Sequence, residues 1–363
     1  MKRFVIETDK LAQNARAIQE RAGVPVIAVL KADGYGLGML PMAKVLSDNG
    51  ISMFAVTEPE DALALREAGF TSELILVMRS TAMQDEADLV IQAGATATIG
   101  SPEAAAALSA AAQRRGTVAK AHIKVDTGMG RYGFLPSQYD HIKTTYTRLP
   151  NVTVTGIYTH FHSAFADGDA THRQLEQLLD ITRRLSEEGI EPGLRHAANS
   201  SGLYGYNDLK LDAVRVGSAF TGRIPSKAPT GLHRLGRLES RVIEIREVPK
   251  GHSVGYGAGY ITKKPTKIAV VPVGYTDGFS VEKKKDLFRL RDIIRYIVGE
   301  LRCLFGKGTI TVNVSGKQAR VLGHVGLCHV SLDVTDMDIE LGASAVLDVN
   351  PLYISPLVEK TYV

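Results

Sequence analysis

The chain has 363 residues, 44% hydrophobic and 23% charged, which suits a barrel-sized domain with an appended module and excludes a fibre or a disordered chain. Its 43 Lys and Arg against 39 Asp and Glu leave a formal charge of +4, too balanced for a nucleic-acid partner, and Trp is absent. Two cysteines, Cys303 and Cys328, exclude a disulfide scaffold and fit a reducing compartment. The opening MKRFVIETDKL lacks a signal-peptide run, and no segment is apolar enough to span a bilayer, so the expectation is a cytoplasmic protein without a membrane partner.

Residues 1–9 read as a strand that belongs with the C-terminal part of the chain. From 10 to 230, β-branched runs alternate with Ala/Leu/Glu-rich helical stretches, as repeated βα units do. The predicted strands are VPVIAVLK (24–31), SMFAVTE (52–58), LILVM (74–78), TATIG (96–100), AHIKVD (121–126), VTGIYTHF (154–161), GLRHAAN (193–199) and AVRVGS (213–218). Between them lie helices such as EPEDALALREAGF, stopped by Gly69, and SPEAAAALSAAAQRRG, capped by Ser101 and ended by Gly116. An open doubly wound sheet gives the same alternation, but eight strands is the number that closes a barrel. The predicted fold class is α/β: a (β/α)8 TIM-type barrel followed by a mostly β C-terminal domain.

From 231 to 363 the texture changes to Val/Ile/Thr-rich runs broken by Gly and Lys: LESRVIEIREV, KIAVVPVGY, TITVNVSG, ARVLGHVG and ASAVLDV. The exception is DLFRLRDIIRYIVGELRCLF (286–305), read as an inserted amphipathic helix. Its apolar positions 290, 293, 294, 297, 301 and 304 line one face, with Arg289, Arg291, Arg295 and Arg302 mostly elsewhere. A basic amphipathic helix can lie on a membrane. Asp292 and Glu300 interrupt the charge, and packing on its own β domain is the expected outcome. Lys283–Lys285 read as a solvated loop, and no internal repeat is visible.

Chemistry concentrates in a few strings. VIAVLKADGYGLG (26–38) delivers Lys31 at the end of a strand that runs into a glycine-rich turn. At a barrel mouth a partly desolvated lysine can lose its proton below its ordinary pKa of about 10.4 and form a Schiff base with an aldehyde. A lysine that merely caps a strand in water is the plain alternative. In IKVDTGMGRYGF (123–134) and the residue before it, alternation puts His122, Lys124 and Asp126 on one face, and a glycine-rich turn returns Arg131 over the barrel mouth. An Arg131–Asp126 ion pair is the plain alternative there. His160 and His162 have zinc-like spacing, but no further ligand cluster follows and no metal is expected.

LKADGYGLG resembles the pyridoxal-phosphate lysine motif of the alanine racemase family. The likeness recurs in order through IKVDTGMGRYGF, THF (159–161), HAANSSG (196–202), VRVG (214–217), VGYG (254–257) and VPVGYTDGF (271–279). The resemblance implies pyridoxal 5'-phosphate on Lys31. Its phosphate would be held by Tyr35, Ser200 and the amides around Gly217 and Ser218, the last at a strand end expected to open a helix, and Asn199 and His160 would also bind the cofactor. Ser200 could equally cap a helix. Arg131 would contact the cofactor's phenolic oxygen and the substrate carboxylate. Lys124, an inward lysine beside an arginine, would be a carbamate formed with carbon dioxide that holds Arg131 in place. Arg215 would face the pyridine nitrogen; an arginine, always charged, cannot take up a proton, and the weaker electron sink that results favours racemisation over transamination.

Inverting a stereocentre needs a base on each face. The resemblance assigns Lys31 to one face and Tyr256 to the other, with His160 hydrogen-bonded to Tyr256. The His160 and Arg215 chain would supply positive neighbours for a phenol whose ordinary pKa is about 10. In the family this tyrosine reaches the lysine of the partner subunit. The resemblance therefore implies a head-to-tail homodimer with shared active sites, Tyr275 and Asp277 contributing at their mouth.

The likeness weakens near the C-terminus. Where the family has a Cys-Met-Asp stretch lining the substrate pocket, GHVGLCHVSLDVT (323–335) offers Leu327 and Cys328, and where a tyrosine borders phosphate and substrate, ISPLVEK (354–360) offers Pro356. Losing a bulky tyrosine would reshape the pocket toward a substrate larger than alanine, serine above all. The expected function is interconversion of L- and D-alanine by Lys31 and Tyr256. The alternatives are a serine or broader small amino-acid racemase, an eliminase or decarboxylase on the same cofactor, and a non-catalytic cofactor-binding protein, which would generally lack the β domain.

Overall fold

Short β-branched and apolar runs form the strands of the structure, a computed structural model that describes residues 2–225, 229–283, 290, 293, 294, 296–298, 301 and 309–363. After β1 (Arg3–Ile6) come β2 (Val26–Val29), β3 (Met53–Val56), β4 (Leu74–Ser80), β5 (Thr96–Ile99), β6 (Ala119–Lys124), β7 (Val152–Tyr158), β8 (Leu194–His196) and β9 (Val214–Val216). Strands β2 to β9 pair in parallel in the order β8-β7-β6-β5-β4-β3-β2-β9. All eight strands predicted for the barrel are present.

The ring is nearly closed. Between β8 and β9 the only bridge is His196 to Ala213, and the seam is stitched by Asp212. Its Oδ2 accepts from the Arg195 amide at 2.8 Å and from Nε at 2.9 Å, and Oδ1 accepts from Nη2 at 2.8 Å. Helices follow the strands outside. Thr8–Ala22 buries Leu11, Ala15, Ile18 and Ala22 at helical spacing. Pro102–Arg114 starts where Ser101 Oγ accepts from the Ala104 amide and stops before Gly116 at φ 61°. Ile27, Val29, Ala55, Leu76 and Ala213 pack together from the strands.

Two units result, Thr8–Arg234 and Met1–Glu7 with Leu235–Val363. The second is built on a nine-stranded sheet. It uses β1 with β10 (Arg237–Arg241), β11 (Glu244–Val248), β14 (Thr266–Val271), β15 (Thr311–Val314), β16 (Lys317–Val321), β17 (Val330–Asp333), β18 (Ser344–Leu347) and β19 (Glu359–Tyr362). Strand β1 runs antiparallel to β10 and parallel to β19, which buries Phe4, Val5 and Ile6. Gly236, at φ 83°, must be glycine, because a Cβ there would lie 2.3 Å from the Phe4 ring. Strands β12 (Ser253–Val254) and β13 (Tyr260–Ile261) form a separate hairpin.

In the 286–305 stretch, the described positions 290, 293, 294, 297 and 301 are helical. Their apolar side chains are exposed, Leu290 at 73% and Ile297 at 54%. The expected packing on the β domain is thus not seen at these positions, whose side chains are open to solvent. Arg289, Arg291, Arg295, Arg302, Cys303, Lys284 and Lys285 lie outside the described residues. No helix among the described residues is long and apolar enough to cross a membrane.

Candidate active site

Strand β2 stops at Val29, two residues short of the predicted end, and Lys31 opens a turn of unusual hand. Ala32, Asp33, Gly34 and Tyr35 have φ of 54°, 51°, 61° and 56°. Three non-glycine residues in this region store strain, roughly 1–2 kcal/mol each, of the kind that persists where surrounding structure fixes a functional site. Asp33 Oδ1 pins the turn by accepting from the Met39 amide at 2.8 Å. Tyr35 then reaches across to Gly217, where a Cβ would lie 2.1 Å from its hydroxyl. The close approach requires glycine.

A cavity of about 540 Å³ is lined by Lys31, Tyr35, Lys124, Arg131, His160, Asn199, Ser200, Arg215, Gly217 and Ser218. Ten of the side chains or amides singled out from sequence, spread over residues 31 to 218, thus meet in one place. Burial first, then the charges of Arg131 and Arg215, holds the Lys31 ammonium below the usual lysine range. Burial pushes the Tyr35 phenol up to about 12 against the opposing pull of Arg215, so it stays protonated and can donate.

Lys124 is 1% exposed, and its Nζ has no hydrogen-bond partner among the described residues. The faces of Tyr132 and Tyr158 lie 5.4 and 5.5 Å from it. Burial, then Arg215, lowers its pKa to about 8, with Arg131 adding to the effect and Asp126 opposing it. Asp126 does not pair with the Arg131 side chain. Its Oδ1 accepts from the amides of Gly128, Met129 and Gly130 at 2.7–3.1 Å, and Oδ2 from the Arg131 amide at 3.2 Å. Burial works against this carboxylate, yet those amides, with Lys124, hold it below the usual range. The turn is thereby fixed, and the Arg131 guanidinium stacks 4.8 Å from the Tyr132 ring.

Arg215 is 3% exposed. Its Nη2 donates to the Thr159 carbonyl at 3.0 Å and to His160 Nδ1 at 2.9 Å, and its Nη1 to His196 Nδ1 at 2.7 Å. His196 Nε2 in turn lies 3.0 Å from His122 Nδ1. Burial and then Arg215 drive the His160 pKa well below the usual value. His160 is thereby held toward its neutral form, which leaves Arg215 as the positive member of that chain. Because arginine only donates, His160 must carry its proton on Nε2, which makes it a donor rather than a cation.

Helix Ser200–Gly205 is capped by Asn199, whose Oδ1 accepts from the Gly202 amide at 2.9 Å, and not by Ser200. Ser200 Oγ instead accepts from the amides of Gly217 and Ala219 at 3.2 and 3.3 Å. Its own hydrogen is left to donate. The helix expected after β9 is a single 3-10 turn, Ser218–Thr221, too short for a useful dipole.

Tyr256, Tyr275 and Leu327 belong to the other unit. Tyr256 sits in the loop of the β12–β13 hairpin, 76% exposed, between Gly255 and Gly257 at φ 77° and 63°. Tyr275 and Leu327 are neighbours: the Tyr275 amide donates to Gly326 at 3.1 Å and Thr276 Oγ1 to the Leu327 carbonyl at 2.6 Å. Asp277 is buried within its own unit. It is 4% exposed, accepts from the Gly274 amide at 3.0 Å, and pairs with Lys2 at 2.5 Å. Cys328 and Pro356 are exposed.

Sequence reasoning passed over Tyr132, Tyr158 and Met78 in the cavity wall. Tyr158 was readable: alternation along VTGIYTHF puts it on the same face as His160.

The family models for the N-terminal and C-terminal domains of alanine racemase match residues 6–225 and 235–351. The alanine racemase of Methylacidiphilum infernorum is 32% identical over 346 residues, 94% of this chain and 82% of its own length. That of Clostridium perfringens (strain SM101 / Type A) is 33% identical over 350 residues, covering 94% and 84%. The solved alanine racemase of Clostridium difficile 630 superposes with a TM-score of 0.85 at 26% identity, covering 100% of this chain and 95% of that one. With both domains matched and the barrel's motif residues lining one cavity, the chain belongs to the alanine racemase family.

Proposed function

We propose that the protein interconverts L- and D-alanine with pyridoxal 5'-phosphate held at Lys31. The observation that carries the reading is the Lys31 amine, destabilised as an ammonium, in one cavity with Arg215 and the hydroxyls of Tyr35 and Ser200. That donor set fits the cofactor: an amine for its aldehyde, neutral donors about the Gly217 cradle for its phosphate, a guanidinium for its ring nitrogen. When bound, the cofactor supplies an electron sink for the Cα–H bond.

The chain's residues do the rest. Lys31 holds or moves the proton on one face of the substrate, and Tyr256 of the partner subunit does so on the other, within a homodimer. Arg131 binds the substrate carboxylate with its planar fork. His160, neutral, donates from Nε2 to the Tyr256 oxygen and lowers the cost of its anion. Lys124, whose amine has no hydrogen-bond partner among the described residues, reacts with carbon dioxide to give a carbamate and a proton. The new anion sits among the charges of Arg131 and Arg215 that now depress the amine. An exposed thiol at Cys328 supports a reducing, cytoplasmic setting.

Serine is the second reading, favoured by the exposed Leu327 beside Tyr275 and by Pro356 in place of a tyrosine. Reduction with borohydride followed by peptide mass mapping should place the cofactor on Lys31. Chiral chromatography after parallel incubation with L-alanine and L-serine should show D-alanine formed faster. Faster D-serine would replace the substrate; no product from either would overturn the reading.

A further inference from the structure

Behind Arg215 lies a chain of hydrogen bonds whose direction is fixed by chemistry. Arginine has donors only, so His196 Nδ1 must accept, at 2.7 Å. The His196 proton is then on Nε2 and is donated to His122 Nδ1 at 3.0 Å, which puts the His122 proton on its own Nε2. Both rings are fully buried, and His122 Nε2 has no partner among the described residues. A buried imidazole that ends a chain in an unmet N–H is costly, and its retention calls for a reason. The barrel makes room for it: a Cβ at Gly156, register partner of His122 across β6 and β7, would lie 2.8 Å from the His122 ring. Tyr158 stacks on His196 at 4.7 Å and 10°, with Arg215 4.8 Å from the same ring. Among the described residues Arg215 has no carboxylate partner, and neutral acceptors and one aromatic face hold it.

We infer that His122 and His196 form a brace of two neutral, Nε2-protonated imidazoles that orients Arg215, leaving its Nε–H and second Nη1 hydrogen for the cofactor's ring nitrogen. His122 is then a positioning residue, acting through His196. The inference rests on the reading of Arg215 given above, but the brace itself exists without cofactor. Successive dipoles along such a chain strengthen one another, so a neutral acceptor at 122 makes His196 a better acceptor for the guanidinium.

Long-range 15N–1H correlation on histidine-labelled, cofactor-free protein at pH 7 to 9 tests it first. Both rings should show the Nε2–H tautomer, and in His122→Leu the His196 signal should shift toward tautomeric averaging. In the loaded enzyme, His122→Leu should lower kcat roughly ten- to a hundredfold with KM nearly unchanged, as small misplacements of a reacting group do. It should also raise the fraction of turnovers ending in transamination. His122→Gln, whose Oε1 can accept from His196, should restore most of both. An Nδ1–H tautomer at His196, or a folded Leu variant with wild-type kcat and transamination, would overturn the brace. Failure of the wild type to load cofactor would instead overturn the function proposed for Lys31, and the tautomer result would stand apart from it.

Discussion

Lys124 and the three histidines around Arg215 show how burial sets chemistry one residue at a time. The His122 pKa is pressed down to about 4 by burial and then by Arg215. An unfolded chain binds that proton near pH 6.5 and the folded chain does not, so between 6.5 and 4 unfolding takes up more protons and stability falls as pH falls. Above 6.5 both states are neutral and the effect vanishes. Urea unfolding at pH 7 and pH 5 should show the wild type losing about 2 kcal/mol more than His122→Gln. An equal loss would mean that His122 is already charged in the fold. At Gly217, a methyl group must displace Tyr35. Gly217→Ala should weaken cofactor binding by about tenfold or more through one lost bond to the phosphate. The melting temperature should stay nearly unchanged. Titration of cofactor-free protein with pyridoxal 5'-phosphate measures it.

Much of this was legible. Lys31, Arg131 and Arg215 stood out because their types and motif positions match an aldehyde, a carboxylate and a ring nitrogen. The link from His122 to His196 was not, since 74 residues separate them and no spacing rule joins two strands across a barrel. Nor was the charge of His160, which depends on a guanidinium 55 residues away in sequence.

Among elements, the eight barrel strands were readable because each is a distinct apolar run between helices. Their ends were less so. The glycines at 34, 36 and 38 signalled a turn after β2, but the left-handed conformation of Ala32, Asp33 and Tyr35 is imposed by Asp33 capping Met39 and by the fit of Tyr35 to Gly217. Strand β17 went unread because HVSLDV is short and lies between glycine-rich and acidic segments. The β8–β9 seam is also a tertiary fact. Asp212→Ala removes three hydrogen bonds at a half-exposed ion pair and should cost about 1–2 kcal/mol, with solvent screening holding it to the lower end. Amide exchange in Leu194–His196 should rise with it; unchanged protection there would show that the seam closes without Asp212.

At the scale of the whole molecule, the barrel unit holds Lys31, Arg131 and Arg215, and the β unit presents Tyr256 on a hairpin loop, 76% exposed. An exposed tyrosine held between two left-handed glycines is well placed to serve another chain. Mixing two inactive variants asks that question directly. Lys31→Ala and Tyr256→Ala subunits, dissociated and reassembled in equal amounts, should regain about a quarter of wild-type racemase activity, because half the dimers then carry one intact site. No recovery, with mixed dimers demonstrated by mass, would contradict a site completed by the partner's tyrosine.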